Sequence, residues 1–583
     1  MAAALEGYAS ATSVAPGDTL DLHVRASSAA FAHVAMQVVR RGRTDEPMLA
    51  TTGDAFVPDG VQDDAALAVA GCNWPAADGL RITVPADWRS GYYLAHVSSG
   101  GAETWIPFFV RAANPGAQSR ILVKMSDATA QAYTAWGGRS LYTAPHAPHI
   151  SFDRPYDDLA LFERYQVPFL QWLESRGIAY DLCSSLDLHR DPQLLAPYRL
   201  LVSIGHDEYW SLEMRDAVEA FVAAGGNVAF FSANTCYWQI RLALDGARIM
   251  TCYKETEGNP PDPSRDDPRR VTVRWYEPPV NRPESRLTGV SYKYGAGWWI
   301  DPTVPAQRYR GYTVADAGDW TLAGTGARNG DMFGAGTSVD DAILGYETDA
   351  VGDGTPPDFR VVARADLRDW APHGQGGGAS LGWYQRRGVV FTAGTVNWAG
   401  GLSAGGTNVV DTIASNVLRA LTAAPVQPLA IPNADFSDWN GDLPAFWTID
   451  GDGTLDAADP DEDANANTFR FAPQPVLARI DASTGETWAG RPDLSLDGRT
   501  RYGAGAWVRA SSRGATIRLQ TTDTWTDFGR AEHSGNGQWE YLFALGTPGR
   551  DGAVPARVKL QVAAGTQAVY GGVTVVPAFA PAP

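Results

Sequence analysis

Two apolar segments joined by an amphipathic helix constrain the fold of this chain most strongly. RLLVSI (199–204) and NVAFFS (227–232) are continuous apolar runs of strand length. Between them, apolar residues recur at the spacing of one helix face: Met214, Val218, Phe221 and Val222. Ser211 is placed to cap this helix, and the glycine pair beginning at Gly225 is placed to end it. The segment therefore predicts two parallel strands connected by a helix, within a sheet covered by helices on both faces.

The regions on either side of this unit have a different pattern. From Gly7 to about Arg111, short segments such as TLDLHVRAS and HVAMQVVRRG alternate apolar and polar residues, which is typical of an antiparallel β-sandwich. After about Thr422, segments such as ATIRLQT and ARVKLQVAAG alternate in the same way and predict a jelly-roll sandwich. We therefore predict three domains: an N-terminal β-sandwich (1–112), a parallel α/β domain (113–425) and a C-terminal jelly-roll β-sandwich (426–583).

Composition restricts the partners and the compartment. With 44% hydrophobic and 19% charged residues in 583, the chain can build several packed cores. A formal net charge of −19 argues against nucleic acid or an anionic membrane as partner, because phosphate binding needs clustered Lys and Arg. The N-terminus has no signal-peptide pattern, no apolar run reaches membrane length, and the four cysteines form no CxxC pair. We expect a cytoplasmic protein with buried free thiols.

Two Tyr-Trp pairs follow the two predicted parallel strands at matching positions. Tyr209 and Tyr237 each lie five residues after a strand, and Glu347 follows a third apolar run that ends at Leu344. Loops leaving the carboxyl ends of parallel strands build the sites of such sheets, so we predict that these two phenols and this carboxylate converge. Hard oxygen donors of this kind suit ferric iron. The alternative is that the aromatic pairs only anchor loops on the core.

The loop after the first of these strands also contains His206, Asp207 and Glu208. Imidazole and carboxylate groups are the usual general acids and bases of enzymes, so these three residues are the predicted catalytic groups. For a histidine beside an acid, an orienting hydrogen bond without catalysis is the alternative.

Several segments together resemble a known family: GHDEYWS, RDAVEAFVAAGGNVAFFSANTCYWQIR, GYETD, SFDRPY and VVFTAGTVNWAGGL. They are similar to the large (beta) subunit of N,N-dimethylformamidase and its relatives, whose C-terminal domain has a flavodoxin-like, glutamine-amidotransferase-like fold. The resemblance includes the central region and, more loosely, the N-terminal sandwich, but not 426–583. It implies hydrolysis of an amide C–N bond and a mononuclear ferric iron (Fe3+) held by two tyrosines and one glutamate. The best matching positions are Tyr209, Tyr237 and Glu347, with Tyr198 as an alternative first tyrosine.

The same resemblance draws attention to DATAQAYTAWGGRSLY (127–142), which is similar to the first strand-to-loop segment of the family. Tyr133, Trp136 and Tyr142 in this segment are candidates for the wall of a pocket. Loop packing is the alternative role.

The chain departs from the family pattern in two ways. A glutamine amidotransferase carries a nucleophilic cysteine on a sharp strand-to-helix turn, but this chain has SIGHDEYW there, and Cys236 follows one strand later without the glycine turn. The glutamate that serves the amidase as general base corresponds best to Gln385, and an amide cannot accept a proton at neutral pH. Either Asp207, Glu208 or Glu255 supplies the base, or the substrate differs.

The predicted function is therefore hydrolysis of a small amide with ferric iron as Lewis acid. The alternatives are a metal-free hydrolase using His206 and Asp207, and a non-catalytic carbohydrate-binding protein. The start of the last domain, NADFSDW, and its tryptophans resemble carbohydrate-binding modules, so a sugar is a candidate partner there. A homo-oligomer and a small companion subunit, which the amidase has, are further candidate partners.

Overall fold

The computed structural model describes residues 5–581, apart from 246–247, 301–304, 404, 424–427, 442, 459–476 and 483–484. In the described part of the chain, no helix combines the length and the apolar character that crossing a bilayer requires. The predicted boundary between residues 425 and 426 falls within 424–427, outside the described residues. The three predicted domain ranges remain predictions.

The N-terminal part is rich in short antiparallel strands, as its alternating pattern predicts. Its elements are β1 (Leu5–Ala9), β2 (Ser13–Val14), β3 (Thr19–Leu20), β4 (Leu22–Ala26), β5 (His33–Arg41), β6 (Asp45–Asp54), α1 (Asp64–Ala70), β7 (Ile82–Thr83), β8 (Gly91–Ser99) and β9 (Ala102–Val110). A five-stranded sheet has the order β2-β9-β8-β5-β6, and β1 pairs with β4 and β3 with β7. In β5, Val34, Met36 and Val38 are buried between exposed neighbours, so this strand presents one face to the core.

The central part contains helices and a large sheet. Its first elements are β10 (Ile121–Lys124), α2 (Asp127–Tyr133), β11 (His149–Ser151), α3 (Ala160–Tyr165), α4 (Val167–Ser175), β12 (Asp181–Cys183), α5 (Ser185–Arg190), β13 (Leu200–His206), β14 (Tyr209–Ser211), α6 (Leu212–Ala224), β15 (Asn227–Ala233), β16 (Trp238–Ala243) and β17 (Ile249–Thr251). The remaining ones are α7 (Ser285–Thr288), β18 (Gly297–Trp298), α8 (Pro305–Arg308), β19 (Tyr312–Val314), β20 (Met332–Phe333), β21 (Arg360–Asp366), β22 (Gly374–Gln375), β23 (Gly378–Gln385), β24 (Val389–Thr392) and α9 (Val409–Thr422).

The predicted strand–helix–strand unit is present as β13, α6 and β15. Ser211 caps α6 by accepting a hydrogen bond from the backbone N–H of Met214, and Gly225 ends the helix in the left-handed conformation, with φ of 102°. β13 and β15 pair in parallel and are buried along their whole length.

The central sheet is mixed, whereas the sequence predicted a parallel one. Its order is β12-β10-β13-β15-β24-β23-β21-β19-β20. The first five strands are parallel, with the order 2-1-3-4-5 when they are numbered along the chain. The last four join antiparallel. β23 and β24 are separated only by the short turn 386–388, and so short a connection cannot carry a chain back to start a parallel strand.

The C-terminal part consists of antiparallel strands: β25 (Trp439–Asn440), β26 (Leu443–Pro444), β27 (Thr448–Asp450), β28 (Thr454–Ala458), β29 (Leu477–Ala482), β30 (Thr487–Asp497), β31 (Tyr502–Ala510), β32 (Ala515–Thr521), β33 (Asp527–Glu532), β34 (Trp539–Gly546), β35 (Ala553–Val562) and β36 (Thr566–Pro577). Two five-stranded sheets, β27-β30-β35-β32-β33 and β28-β29-β36-β31-β34, bury one apolar core. This arrangement agrees with the predicted β-rich character, and the jelly-roll assignment remains a prediction.

The chain end returns to the central sheet after β36. The side chain of Gln385, at the end of β23, accepts a hydrogen bond from the backbone N–H of Phe579 at 2.6 Å. The Phe579 ring packs against Trp320 and Trp383, with ring centroids 5.7 and 6.0 Å away. The last residues therefore connect the C-terminal sheets to the central one.

Candidate active site

The candidate site lies at the carboxyl ends of β10 and β13, which are neighbouring parallel strands. β10 leads into α2, which ends at Tyr133, and β13 leads into the loop that contains Glu208. The backbone N–H of Glu208 donates to Thr129 Oγ1 at 2.9 Å, so α2 holds this loop directly. Because parallel strands end at the same edge of a sheet, side chains from both connections meet there.

The carboxylate of Glu208 is the centre of the cluster. Tyr133 donates its hydroxyl to Glu208 Oε2 at 2.9 Å, and Tyr142 donates to Oε1 and Oε2 at 2.9 and 3.0 Å. Glu208 is 2% exposed, and burial raises the pKa of its carboxyl above the ordinary value. The Glu208 carboxylate is thus nearly dry, whereas Tyr142, one of its two phenol partners, is 47% exposed.

Tyr142 is contacted by two further buried groups. Tyr209 donates its hydroxyl to the hydroxyl of Tyr142 at 2.7 Å. The ammonium group of Lys254 lies 3.5 Å from the centroid of the Tyr142 ring, a cation–π distance, and this lysine is fully buried. No hydrogen-bond partner of Lys254 Nζ occurs in the described part of the chain. Burial lowers the pKa of Lys254, and the neighbouring Glu208 opposes that shift.

His206 and Glu347 form a pair beside this cluster. Nε2 of His206 lies 2.8 Å from Glu347 Oε2 and 3.5 Å from Glu208 Oε2. Burial alone lowers the pKa of His206, but the two carboxylates outweigh burial and raise this pKa above the ordinary value. Asn234 donates its amide N–H to Glu347 Oε2 at 3.2 Å, while its own Oδ1 is buried without a partner among the described residues.

Two of the three residues predicted as metal ligands lie at or beside the cluster. Tyr209 contacts Tyr142, and Glu347 contacts His206. The hydroxyl of Tyr237 instead lies 3.3 Å from the hydroxyl of Tyr276. The backbone N–H of Tyr237 donates to the Glu208 carbonyl, and its ring packs in the same apolar cluster as Tyr209.

The other predicted residues have partners away from the cluster. Tyr198, the alternative ligand, donates its hydroxyl to Asp181 at 2.8 Å. The carboxylate of Asp207 pairs with Lys124 at 2.6 Å and accepts a hydrogen bond from Ser203. Glu255 accepts from the backbone N–H of Asp262. Gln385 binds the chain end at Phe579.

The oxygen-rich cluster fits a hard cation in its donor types. Burial of the hydroxyl groups, reinforced by the charge of Glu208, raises the pKa of Tyr133 and of Tyr142 well above the ordinary value, so without a metal both phenols keep their protons. A trivalent cation at this position would take the place of those protons, because it stabilises phenolate. Among the described residues, His, Cys, Asp and Glu alone form no metal-binding group of three or more, and the phenols complete the donor set here.

Sequence reasoning identified the loop but missed the partners of Glu208. The sequence predicts only a pocket wall for Tyr133 and Tyr142, although they follow β10, the first of the parallel strands along the chain. Extending the strand-end rule to every parallel strand would have included them. Lys254 gave no sequence signal, because nothing in its local pattern indicates that its side chain is buried.

The mixed sheet thus carries phenols and carboxylates beyond the ends of its parallel strands. The family described as N,N-dimethylformamidase beta subunit-like, C-terminal, matches residues 40–411, more than half of the chain. The chain belongs to the N,N-dimethylformamidase beta subunit-like family.

Two curated relatives are similar to this chain over 416 residues at 23% identity: the N,N-dimethylformamidase beta subunits of Paracoccus aminophilus and of an Alcaligenes species. Each match includes 57% of this chain and 52% of the relative. The chain therefore spans about half the length of these relatives.

Similar solved structures include two carbohydrate-binding modules. A β-1,3-glucan-binding module from Bacillus halodurans matches 23% of this chain and 90% of its own length, at 15% identity and a TM-score of 0.16. A variant of a family 29 module, CBM29-2, matches 26% of this chain and 87% of its own length, at 13% identity and a TM-score of 0.18. We base no functional conclusion on these low scores.

Proposed function

We propose that this protein is an amidohydrolase that cleaves the C–N bond of a small linear amide. The observation that carries the proposal is the position of the buried His206–Glu347 pair beside the Tyr133–Tyr142–Glu208 cluster. Membership of the N,N-dimethylformamidase beta subunit-like family supports the reaction class.

We further propose that the cluster holds a mononuclear ferric iron through Tyr133, Tyr142 and Glu208. This set has the composition that the family resemblance implies, two tyrosines and one glutamate, and both phenols are within hydrogen-bond distance of the Glu208 carboxylate. When bound, ferric iron supplies Lewis acidity toward an amide carbonyl and acidifies water. The sequence-based set of Tyr209, Tyr237 and Glu347 is the competing proposal, and the 3.3 Å contact of Tyr237 with Tyr276 disfavours it.

The residues around the cluster have separate roles in this proposal. In amide hydrolysis, water adds to the carbonyl carbon, the C–N bond breaks, and a proton passes to the leaving nitrogen, giving a carboxylic acid and an amine. Glu347 and His206 share the proton from water, because they lie 2.8 Å apart and each is almost completely buried. Tyr209 orients the hydroxyl of Tyr142.

The alternative without metal used His206 with Asp207. The Asp207 carboxylate is bound to Lys124 and Ser203, and the carboxylate closest to His206 is that of Glu347. Any proton transfer by His206 is therefore better assigned to the pair with Glu347. This pairing also removes the need for a glutamate at position 385.

The proposal also includes a more specific fold for the central sheet and the partners of the chain. The order 2-1-3-4-5 of the parallel strands supports a flavodoxin-like, glutamine-amidotransferase-like sheet. Since both curated relatives are described as beta subunits, we propose that this chain has a companion subunit. A homo-oligomer and a cytoplasmic location remain predictions from the sequence. A carbohydrate partner of the C-terminal part is argued separately below.

Iron analysis combined with an amide screen tests the proposal. The purified full-length chain is incubated with ferrous or ferric iron, desalted and examined for iron per chain and for a visible tyrosinate-to-iron absorption band. Amine release is then measured with a panel of short N-alkyl formamides and acetamides. We expect close to one iron per chain, a coloured protein and turnover of at least one amide. A colourless, folded protein that keeps no iron would refute the iron proposal, and turnover without iron would favour the metal-free alternative.

A further inference from the structure

The C-terminal sheet β27-β30-β35-β32-β33 has one face on the core and a polar face opposite to it. Along β35, Val558 and Leu560 are fully buried in the shared core. The alternating residues Arg557, Lys559 and Gln561 must therefore lie on the opposite face. Each of the three is less than 9% exposed, so this polar face is itself enclosed by neighbouring side chains.

Two tryptophans sandwich the first of these residues. The guanidinium carbon of Arg557 lies 4.1 Å from the ring centroid of Trp488 and 4.5 Å from that of Trp525. Gln520 accepts a hydrogen bond from Arg557 Nε at 2.8 Å and so fixes the guanidinium between the rings. Trp525 remains 62% exposed. The structure thus holds a rigid aromatic ring with a large area open to solvent.

Trp488 lies close against the sheet. A Cβ atom built at Gly490 would come within 2.6 Å of the Trp488 ring, so the glycine makes room for it. Trp488 is directly opposite Gln561 on the neighbouring strand. An aromatic surface and the polar row on β35 are therefore side by side.

The polar row carries hydrogen-bonding groups without protein partners. Lys559 is 8% exposed, its ammonium lies 5.0 Å from the Trp488 ring centroid, and neither a hydrogen bond nor an ion pair joins it to any residue that the structure describes. Oε1 of Gln561 is buried and likewise lacks a donor among the described residues. An unsatisfied buried polar atom such as Gln561 Oε1 is costly in a native protein, so a ligand is a physical reason for keeping it.

We propose that this face binds a carbohydrate chain. Lys559 offers only donors and Gln561 Oε1 only an acceptor, and a hydroxyl group satisfies both because it accepts and donates. The exposed ring of Trp525 supplies a flat apolar surface for the C–H face of a sugar ring. Sugar hydroxyls thus match the donors, the acceptor and the aromatic surface together.

A polyanion such as single-stranded nucleic acid also stacks on aromatic rings and binds cations. Here Asp527 forms an ion pair with Arg518 at 2.7 Å, and the negative charge of Glu486 partly offsets the positive charge of Lys559. The face is therefore not a cluster of free positive charge. The net charge of −19 also disfavours a polyanionic ligand, because it repels negative charge. These observations favour a hydroxyl-rich ligand.

The test is affinity electrophoresis of the full chain in gels that contain one soluble polysaccharide each. The panel includes neutral β-glucan, xyloglucan and galactomannan, and acidic alginate and pectin. Isothermal titration with oligosaccharides of the retarding polymer then gives the affinity. We expect retardation by at least one polysaccharide and a decrease in affinity of about ten-fold or more in Trp525→Ala and in Lys559→Met.

The matched control is Trp299→Ala, which removes a tryptophan of the central part that is 48% exposed and should leave retardation unchanged. If Lys559→Met does not fold, Trp525→Ala decides the outcome, because its side chain is mostly in solvent. Absence of retardation by every polymer, unchanged retardation in Trp525→Ala, or binding of a single-stranded oligonucleotide in place of the polysaccharides would overturn the proposal. Iron content and amide turnover are independent of this outcome.

Discussion

The phenol oxygen of Tyr142 lies 2.9 Å from Oε1 of Glu208, within hydrogen-bond distance. This contact joins the segment after β10 to the loop after β13, so it depends on the folded sheet and not on local sequence. It also distinguishes the two proposed sets of metal ligands, because Tyr142 contacts Glu208 whereas the hydroxyl of Tyr237 contacts that of Tyr276.

The first prediction compares these two tyrosines. Tyr142→Phe should abolish iron binding and the visible absorption, because it removes an oxygen donor from the cluster, while the fold loses about 1 kcal/mol or less. Tyr237→Phe should keep both properties. Iron per chain and the visible spectrum are measured for each variant, with circular dichroism as the check on folding. The reverse pattern would restore the set of Tyr209, Tyr237 and Glu347.

The second prediction concerns Glu347→Gln. An amide at this position still accepts from Asn234 but no longer takes a proton from His206, so kcat should fall by about 100-fold or more while iron content stays unchanged. Glu208→Gln is the matched variant, since the same chemical change at the centre of the cluster should remove the iron. Loss of iron in Glu347→Gln would make this residue a ligand.

The third prediction concerns the pH dependence of stability. Burial raises the pKa of Glu284 to about 7, so the folded state binds its proton more tightly than the unfolded state. For a raised carboxyl pKa, stability is lost as the pH rises from the unfolded value of about 4.3 through the folded value of about 7, by roughly 3–4 kcal/mol for this group. Glu284→Gln cannot ionise and should therefore gain stability over the wild type at pH 8 but not at pH 4. Melting temperatures at both pH values test this, and a difference independent of pH would contradict it.

The fourth prediction concerns the chain end. Phe579→Ala removes the ring that packs on Trp320 and Trp383, and since Phe579 is only partly buried we expect a loss of about 1–2 kcal/mol. Phe446→Ala, which removes a phenylalanine that is 60% exposed, should cost much less. Urea unfolding followed by tryptophan fluorescence measures both. Equal effects of the two substitutions would mean that the chain end contributes no more than an ordinary surface ring.

The sequence was informative where local pattern decides structure. The strands β13 and β15 and the helix α6 between them followed from apolar spacing, and Ser211 and Gly225 occupy the predicted cap positions. The antiparallel strands β23, β21, β19 and β20 were not predicted, because their pairing depends on which edge of the parallel set is left open.

The part of the site that lies within one short segment was predicted, because local sequence alone groups those residues. His206 ends β13, Tyr209 begins β14 and Glu208 lies in the short loop between them, so a single segment of sequence was sufficient to group them. Tyr133 reaches Glu208 across 75 positions and Lys254 reaches the Tyr142 ring from a separate segment, and such contacts are set by the tertiary fold alone. Gln385 was considered for the site, but its amide serves the chain end instead.

The hydrogen bond between Gln385 and Phe579 joins positions that are 194 residues apart. During synthesis β23 leaves the ribosome long before Phe579, so this contact can form only after the C-terminal sheets have been synthesised. Transferring the C-terminal sheets to another protein would separate the backbone donor at Phe579 from its acceptor, Gln385. A recipient scaffold would therefore need a glutamine and a tryptophan-lined recess at the corresponding strand end before the transplanted tail could attach.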